Sequence, residues 1–390
     1  MNRFSLLAAC FLLGLPLSSA EAASWHGKRD LEEINSRLKG QVVDYTHNHG
    51  VDHRIWSEAL QSKRDLYIYL PPGFDPAKRY PFMMWLHGYA QDEKTFVKFV
   101  VEPLDKAVAS GDLPPCIVAA PDGSIEGYAC RTNAGSFFLN NSAGRFEDWV
   151  MHDVWNFVFD NFPVRPEREA HVLSGVSMGG GASFNLGIKY REKVKIVAAA
   201  FPPVNTRWVN DRGRYMAPFD PEHQGIREDL RRPWQPVGRY YGIIVIRMKR
   251  LLDPIYDRRD PDAIHHLARE NPMEMLDLYD VKEGQLSMFI GYGGRDQFNI
   301  TAQVDSFLYH AKEKGLTVDV LYLPKGKHDV ETAWKIFPYL VRWLAPQIAP
   351  YAPDAPVDFQ ALLPSPLAVP RRGRSKGAAA PVSSSTRPDG

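Results

Sequence analysis

Three cysteines in 390 residues are too few for a disulfide scaffold or a multi-cysteine zinc or iron–sulfur protein. An excess of one charge is missing too: 47 Lys and Arg face 46 Asp and Glu. That balance excludes the basic surplus of a typical nucleic-acid binder. With 44% hydrophobic residues, the composition is also unlike that of a disordered chain. The apolar run near the start, residues 4–17, falls short of the roughly 20 residues of a membrane span. No internal repeat is visible. What the chain does have is length for a large buried core, with 29 Gly and 31 Pro consistent with many loops. The composition is that of an ordinary globular enzyme.

The two ends differ from the body. Met1-Asn2-Arg3, the apolar run and Ala20-Glu21-Ala22 form the charged start, core and small-residue site of a secretory leader, residues 1–22. Export to a secreted or periplasmic location is expected, with no stable membrane span after cleavage. An oxidising compartment makes a Cys116–Cys130 bridge an open alternative to two free thiols. From Pro346 onward prolines crowd together, followed by Arg371-Arg372-Gly373-Arg374, alanines and serines. Residues 346–390 read as a tail with little to bury.

Between them, over 23–345, strand-like runs alternate with helical patterns, so the fold class is α/β. Residues 54–60 and 65–70 read as an early antiparallel pair. Continuous apolar strands are expected at 80–86, 116–120, 170–174, 195–201, 286–290 and 318–323. Helical periodicity marks 147–162, 179–190, 301–314 and 332–348. Residues 205–280, rich in Arg with Trp208 and Trp234, interrupt the alternation and read as an insertion packing over the sheet edge as a cap.

Gly175-Val176-Ser177-Met178-Gly179-Gly180 lies between an expected strand and helix, the context a G-x-S-x-G nucleophile turn requires. Glycines two before and two after the serine let backbone pass without a Cβ. A serine hydroxyl needs a base. His328 follows the last expected strand, whereas His223, His265 and His266 fall in the insertion and His310 in a helix. Asp296 is the first carboxylate past the preceding strand, with Asp253 and Asp257 as rivals and Asp329 too close to the base along the chain. Oxyanion donors are expected at the backbone N–H of Met178 and of Tyr89, with His87 shaping the latter's loop. His47-Asn48-His49-Gly50-Val51-Asp52-His53 carries one residue too many for the metal motif it approaches, so no metal is assigned.

These segments resemble the esterase D/feruloyl-esterase-like family of α/β-hydrolases. The matching pieces are Leu70-Pro71-Pro72-Gly73-Phe74, Trp85-Leu86-His87-Gly88, Arg145-Phe146-Glu147-Asp148, Gly175–Gly180, Gly294-Arg295-Asp296 and Gly326-Lys327-His328. The resemblance implies a mostly parallel central sheet flanked by helices and no cofactor. It implies hydrolysis of small-molecule or carbohydrate acyl esters, feruloyl or acetyl among them, by Ser177, His328 and Asp296. An acyltransferase of mycolyltransferase type, a prolyl-oligopeptidase-like peptidase and a non-catalytic binding protein are the alternatives.

Overall fold

Apolar runs unbroken by polar residues call for a sheet covered on both faces. The computed structural model describes residues 28–130, 135–240 and 244–355. Its main sheet has eight strands: β1 (Gln41–Tyr45), β2 (Leu66–Leu70), β3 (Phe82–Leu86), β4 (Ile117–Pro121), β5 (His171–Val176), β6 (Ile196–Ala200), β7 (Ser287–Gly293) and β8 (Asp319–Leu323). They lie in the order β1-β2-β4-β3-β5-β6-β7-β8. β1 and β4 run antiparallel to β2, and every other pairing is parallel.

Register decides where the loops emerge. Val176 pairs with Ala200, Ala200 with Gly291, and Gly293 with Leu323. The carboxyl ends of β5 to β8 are therefore level, and the loops that follow them leave the sheet side by side. Four main helices cover it: α1 (Val101–Ala109), α2 (Met178–Lys189), α3 (Ile300–Glu313) and α4 (Val330–Ile348). On one face Trp85, Val118 and Val172 pack with Leu104 of α1 and Leu344 of α4. On the other, Phe82, Met84 and Leu173 meet Leu186 of α2 and the buried Trp149. Trp149 opens a π-helical stretch, Trp149–Val154, and its indole N–H donates to the Asp122 carbonyl at 2.8 Å.

The strand partners near the start differ from the sequence expectation. Residues 65–70 contain β2, but its partner is β1, while Ile55–Ser57 pairs with Ser62–Arg64 in a separate hairpin. The reason is Asp44. It occupies an inward position of β1, where its carboxylate accepts the Thr46 N–H at 2.9 Å and hydroxyl at 2.6 Å. A charged residue at a buried position hides the period-two pattern. Cys116 is a buried thiol outside any disulfide, so the Cys116–Cys130 bridge is not formed, and burial raises its pKa to about 12.

The carboxyl-terminal boundary also moves. α4 continues through Pro346, and a 3-10 turn, Ala349–Tyr351, follows it. The fully buried Arg165 explains this order. It donates to the carbonyls of Tyr351, Ala352 and Ala355 at 3.1, 3.1 and 2.7 Å and pairs with Glu167 at 3.3 Å. Composition at Pro346 cannot reveal a docking made by backbone carbonyls. The expected leader, residues 1–22, lies outside the described residues, as does the tail from 356 and with it the second unit, Asp358–Gly390. No helix of the described residues is long and apolar enough to cross a membrane. Arg165→Ala would leave Glu167 without its counter-ion and three carbonyls without a donor. A loss of about 3–5 kcal/mol is expected in urea denaturation.

Candidate active site

Ser177 stands between β5 and α2 with φ 53° and ψ −120°. A serine rarely adopts that backbone, which costs about 1–3 kcal/mol and persists only where the surroundings enforce it. The enforcement is visible. The Ser177 N–H donates to Ala200 O on β6 at 2.9 Å, and the Ser177 carbonyl accepts the Gly181 N–H at 2.9 Å, starting the helix. A Cβ on Gly179 would lie 2.1 Å from the Leu86 carbonyl oxygen, and one on Gly175 would lie 2.6 Å from the Gly179 backbone. Only glycine lets helix, strand and turn approach this closely.

The loops after β7 and β8 bring two more side chains to the hydroxyl. They touch where a Cβ on Gly293 would fall 2.4 Å from Gly326, and the Arg295 N–H donates to Gly326 O at 2.8 Å. His328 Nε2 lies 2.8 Å from Ser177 Oγ, and its Nδ1 lies 2.7 Å from Asp296 Oδ2. A carboxylate can only accept, so Nδ1 carries the proton and Nε2 accepts from the serine. Both side chains are buried, at 2% and 0% exposure. The other carboxylate oxygen, Oδ1, accepts the Phe298 N–H at 2.8 Å, which fixes the acid's orientation.

Residues given no role by sequence pattern hold the imidazole. Phe201 and Phe298 flank the ring, with centroids at 4.5 and 4.8 Å. Gln297 Oε1 accepts the His328 N–H at 2.8 Å. Their only sequence signal is position: Phe201 directly follows β6, and Gln297 and Phe298 directly follow Asp296.

Tyr89 and Met178 border the same cleft as Ser177 and His328. Met178 is the first residue of α2, so its N–H has no acceptor within the helix. His87 lies beneath the other loop. Its Nε2 accepts the Gly123 N–H at 2.8 Å and its Nδ1–H donates to Gly88 O at 2.9 Å, while Gln91 Oε1 accepts the Gly88 N–H. Burial pulls its pKa below the ordinary value, so the ring is neutral.

The cleft holds about 660 Å³ of space between its walls, part of it open to solvent. Six of its lining residues come from the 205–280 segment between β6 and β7: Thr206, Tyr215, Val237, Met248, Leu251 and Leu252. That segment has two hairpins, Trp208–Asn210 with Gln224–Ile226 and Pro236–Tyr240 with Ile244–Arg247, and a cluster of its own around Trp208 and Leu252. Its last helix, Pro272–Leu278, is preceded by Glu270, which shares Lys189 of α2 with Glu147, at 2.6 and 2.5 Å. The Arg145-Phe146-Glu147-Asp148 motif thus anchors this segment from outside the cleft.

The remaining candidates lie elsewhere. Asp329 caps α4 by accepting the Thr332 N–H at 2.9 Å. Asp253 pairs with Arg258 and Asp257 with Arg259. His223 meets Asp211, and His310 meets Asp277. In the histidine-rich stretch, His47 binds Asp65, His49 binds the Tyr67 hydroxyl and His53 binds Asp44, so the three rings diverge to separate partners. Among the described residues no group of His, Cys, Asp and Glu is arranged to hold a metal ion. Gly179→Ala sets a methyl against the Leu86 carbonyl, which the strand cannot move. A loss of about 1–3 kcal/mol is expected in thermal denaturation.

Comparison with known proteins identifies the family. Residues 57–346 match the profile of the family described as "Putative esterase". The S-formylglutathione hydrolase of Paracoccus denitrificans (strain Pd 1222) is 25% identical over 283 residues, 67% of this chain and 93% of that protein. That of Arabidopsis thaliana is 25% identical over 172 residues, 40% of this chain and 58% of that protein. A solved ferulic acid esterase superposes with a TM-score of 0.56 over 80% of this chain and 99% of its own, at 15% identity. With the family profile matched over most of its length and the sheet order of that fold, the chain belongs to this esterase family, the carboxylic ester hydrolases of α/β-hydrolase fold.

Proposed function

We propose that the protein is an exported serine esterase that works through an acyl-enzyme on Ser177. The observation that carries this reading is the hydrogen-bonded line from Ser177 Oγ through His328 to Asp296, set in a cleft. Ser177 attacks the ester carbonyl while His328 takes its proton. Asp296 holds the imidazole tautomer and stabilises the imidazolium. The N–H groups of Met178 and Tyr89 bind the tetrahedral oxyanion. Collapse expels the alcohol, protonated by His328, and water then repeats the sequence on the acyl-enzyme.

The cleft walls support a small apolar or aromatic acyl group. Tyr89, Phe137, Pro203 and Phe298 join the six residues from the 205–280 segment, and among the described residues no Asp, Glu, Lys or Arg lines the space. Acetyl and feruloyl groups fit that chemistry, and a carbohydrate is the alcohol we favour. The name of the ferulic acid esterase neighbour is consistent with an aromatic acyl group. The 205–280 segment serves as the cap that completes the acyl site. The leader at 1–22 directs the chain out of the cytoplasm, and recovery of the uncleaved chain from the cytoplasm alone would contradict that part.

Hydrolysis of p-nitrophenyl acetate and longer esters by the full chain tests the chemistry. Ser177→Ala should lower kcat by about 10⁴-fold or more. Asp296→Asn should lower it by about 10⁴-fold with little change in KM, because the histidine then takes the wrong tautomer. Equal turnover by the parent and Ser177→Ala would overturn the assignment.

A further inference from the structure

Charge is unevenly distributed within the 205–280 segment. Residues 227–250 hold seven Arg and Lys against two carboxylates. The first of them is Arg227, only 6% exposed, directly after the strand Gln224–Ile226. One terminal nitrogen donates to Gln235 Oε1. Its Nε is buried with no hydrogen-bond partner, and among the described residues no carboxylate stands within ion-pair distance of the guanidinium. The neighbouring Arg207 has claimed Glu274, at 2.5 Å. Burial draws the Arg227 pKa below its ordinary value, and Arg232 and Arg207 add to this against the opposing pull of Tyr215 and Asp229.

A guanidinium stays charged in proteins, so one buried without a counter-ion is costly unless something supplies the anion. The groups around Arg227 are polar and basic. Gln235 Nε2 donates to Gly213 O at 2.9 Å, and a Cβ on Gly213 would lie 2.9 Å from an Arg232 terminal nitrogen. Arg232 is exposed and pairs with no carboxylate among the described residues. Beside it Trp234 is 60% exposed, with Lys249 Nζ 3.6 Å from its ring centroid. This group lies close to the cleft: Val237 is two residues beyond Gln235, Tyr215 is near enough to Arg227 to act on its charge, and both line the space around Ser177.

We propose that Arg227 and Arg232 form a subsite for the carboxylate of an acidic sugar, with Trp234 offering a stacking surface to the ring. The inference rests on the esterase reading, for it places the acidic sugar on the alcohol side of the ester while the apolar cleft takes the acyl group. An arginine pair suits a carboxylate because each guanidinium presents parallel donors in a plane.

Binding without turnover tests it. Full-length Ser177→Ala protein is titrated calorimetrically with trigalacturonate and with xylotriose, its neutral counterpart in length. Trigalacturonate should bind about tenfold more tightly or better, and Arg232→Ala should remove at least about tenfold of that affinity. Arg227→Lys, which keeps the charge but loses the planar fork, should also weaken binding, with folding checked by circular dichroism. Arg259→Ala is the control, an exposed cation of the same segment with a side chain 91% exposed. Equal binding of the two trisaccharides, or equal losses in Arg232→Ala and Arg259→Ala, would overturn the subsite. Neither result depends on catalysis. Failure of the esterase reading shows separately, as p-nitrophenyl acetate hydrolysis that does not need Ser177.

Discussion

The turn at Ser177 holds a backbone conformation that no serine prefers, φ 53° and ψ −120°, and the rest of the site is built around keeping it. Three elements converge there. β5 ends at Val176, α2 begins at Met178, and the end of β3 passes so close that only Gly179 fits beneath the Leu86 carbonyl. The hydrogen bond from the Ser177 N–H to Ala200 ties the turn to β6 as well. Strain of this size is small beside the packing of the surrounding sheet, whose strands β2 to β6 are almost wholly buried. The hydroxyl is therefore presented at a fixed point above the strand ends.

The imidazole beside the hydroxyl is fixed too. The level carboxyl ends of β7 and β8 set the Asp296 and His328 loops against each other, and glycines at 293 and 326 let them touch. The imidazole is then held by several partners: Asp296 at Nδ1, Gln297 at the His328 backbone, and the rings of Phe201 and Phe298 packed against it. Burial of the pair removes competing water, which strengthens the hydrogen bond that orients the base. The segment after β6 contributes mostly apolar side chains to the cleft around this point, while residues 227–250 of the same segment hold seven of its Arg and Lys.

What could be read from the sequence follows from this division. The strand–turn–helix around Ser177 is legible because a tight turn demands glycine at fixed positions, and the continuous strands are legible because burial on both faces demands unbroken apolar runs. Asp296 and His328 could be picked out as residues just past strand ends, and the structure brings both to Ser177. Less was legible where polar groups satisfy one another inside. Asp44 disguised β1, and Arg165 ordered a segment whose composition reads as tail. Gln297, Phe201 and Phe298 were silent because a packing neighbour of a histidine has no spacing rule. The 205–280 segment could be bounded but not shaped, since its short hairpins carry no strong period.

A covalent trap is the most direct test of the central claim that Ser177, deprotonated by His328, is the nucleophile. The full-length protein is treated with a fluorophosphonate and analysed by intact mass and peptide mapping. The account predicts one adduct, on the peptide containing Ser177, with labelling strongly slowed in His328→Ala. An adduct on another residue, or undiminished labelling of Ser177 without His328, would contradict it.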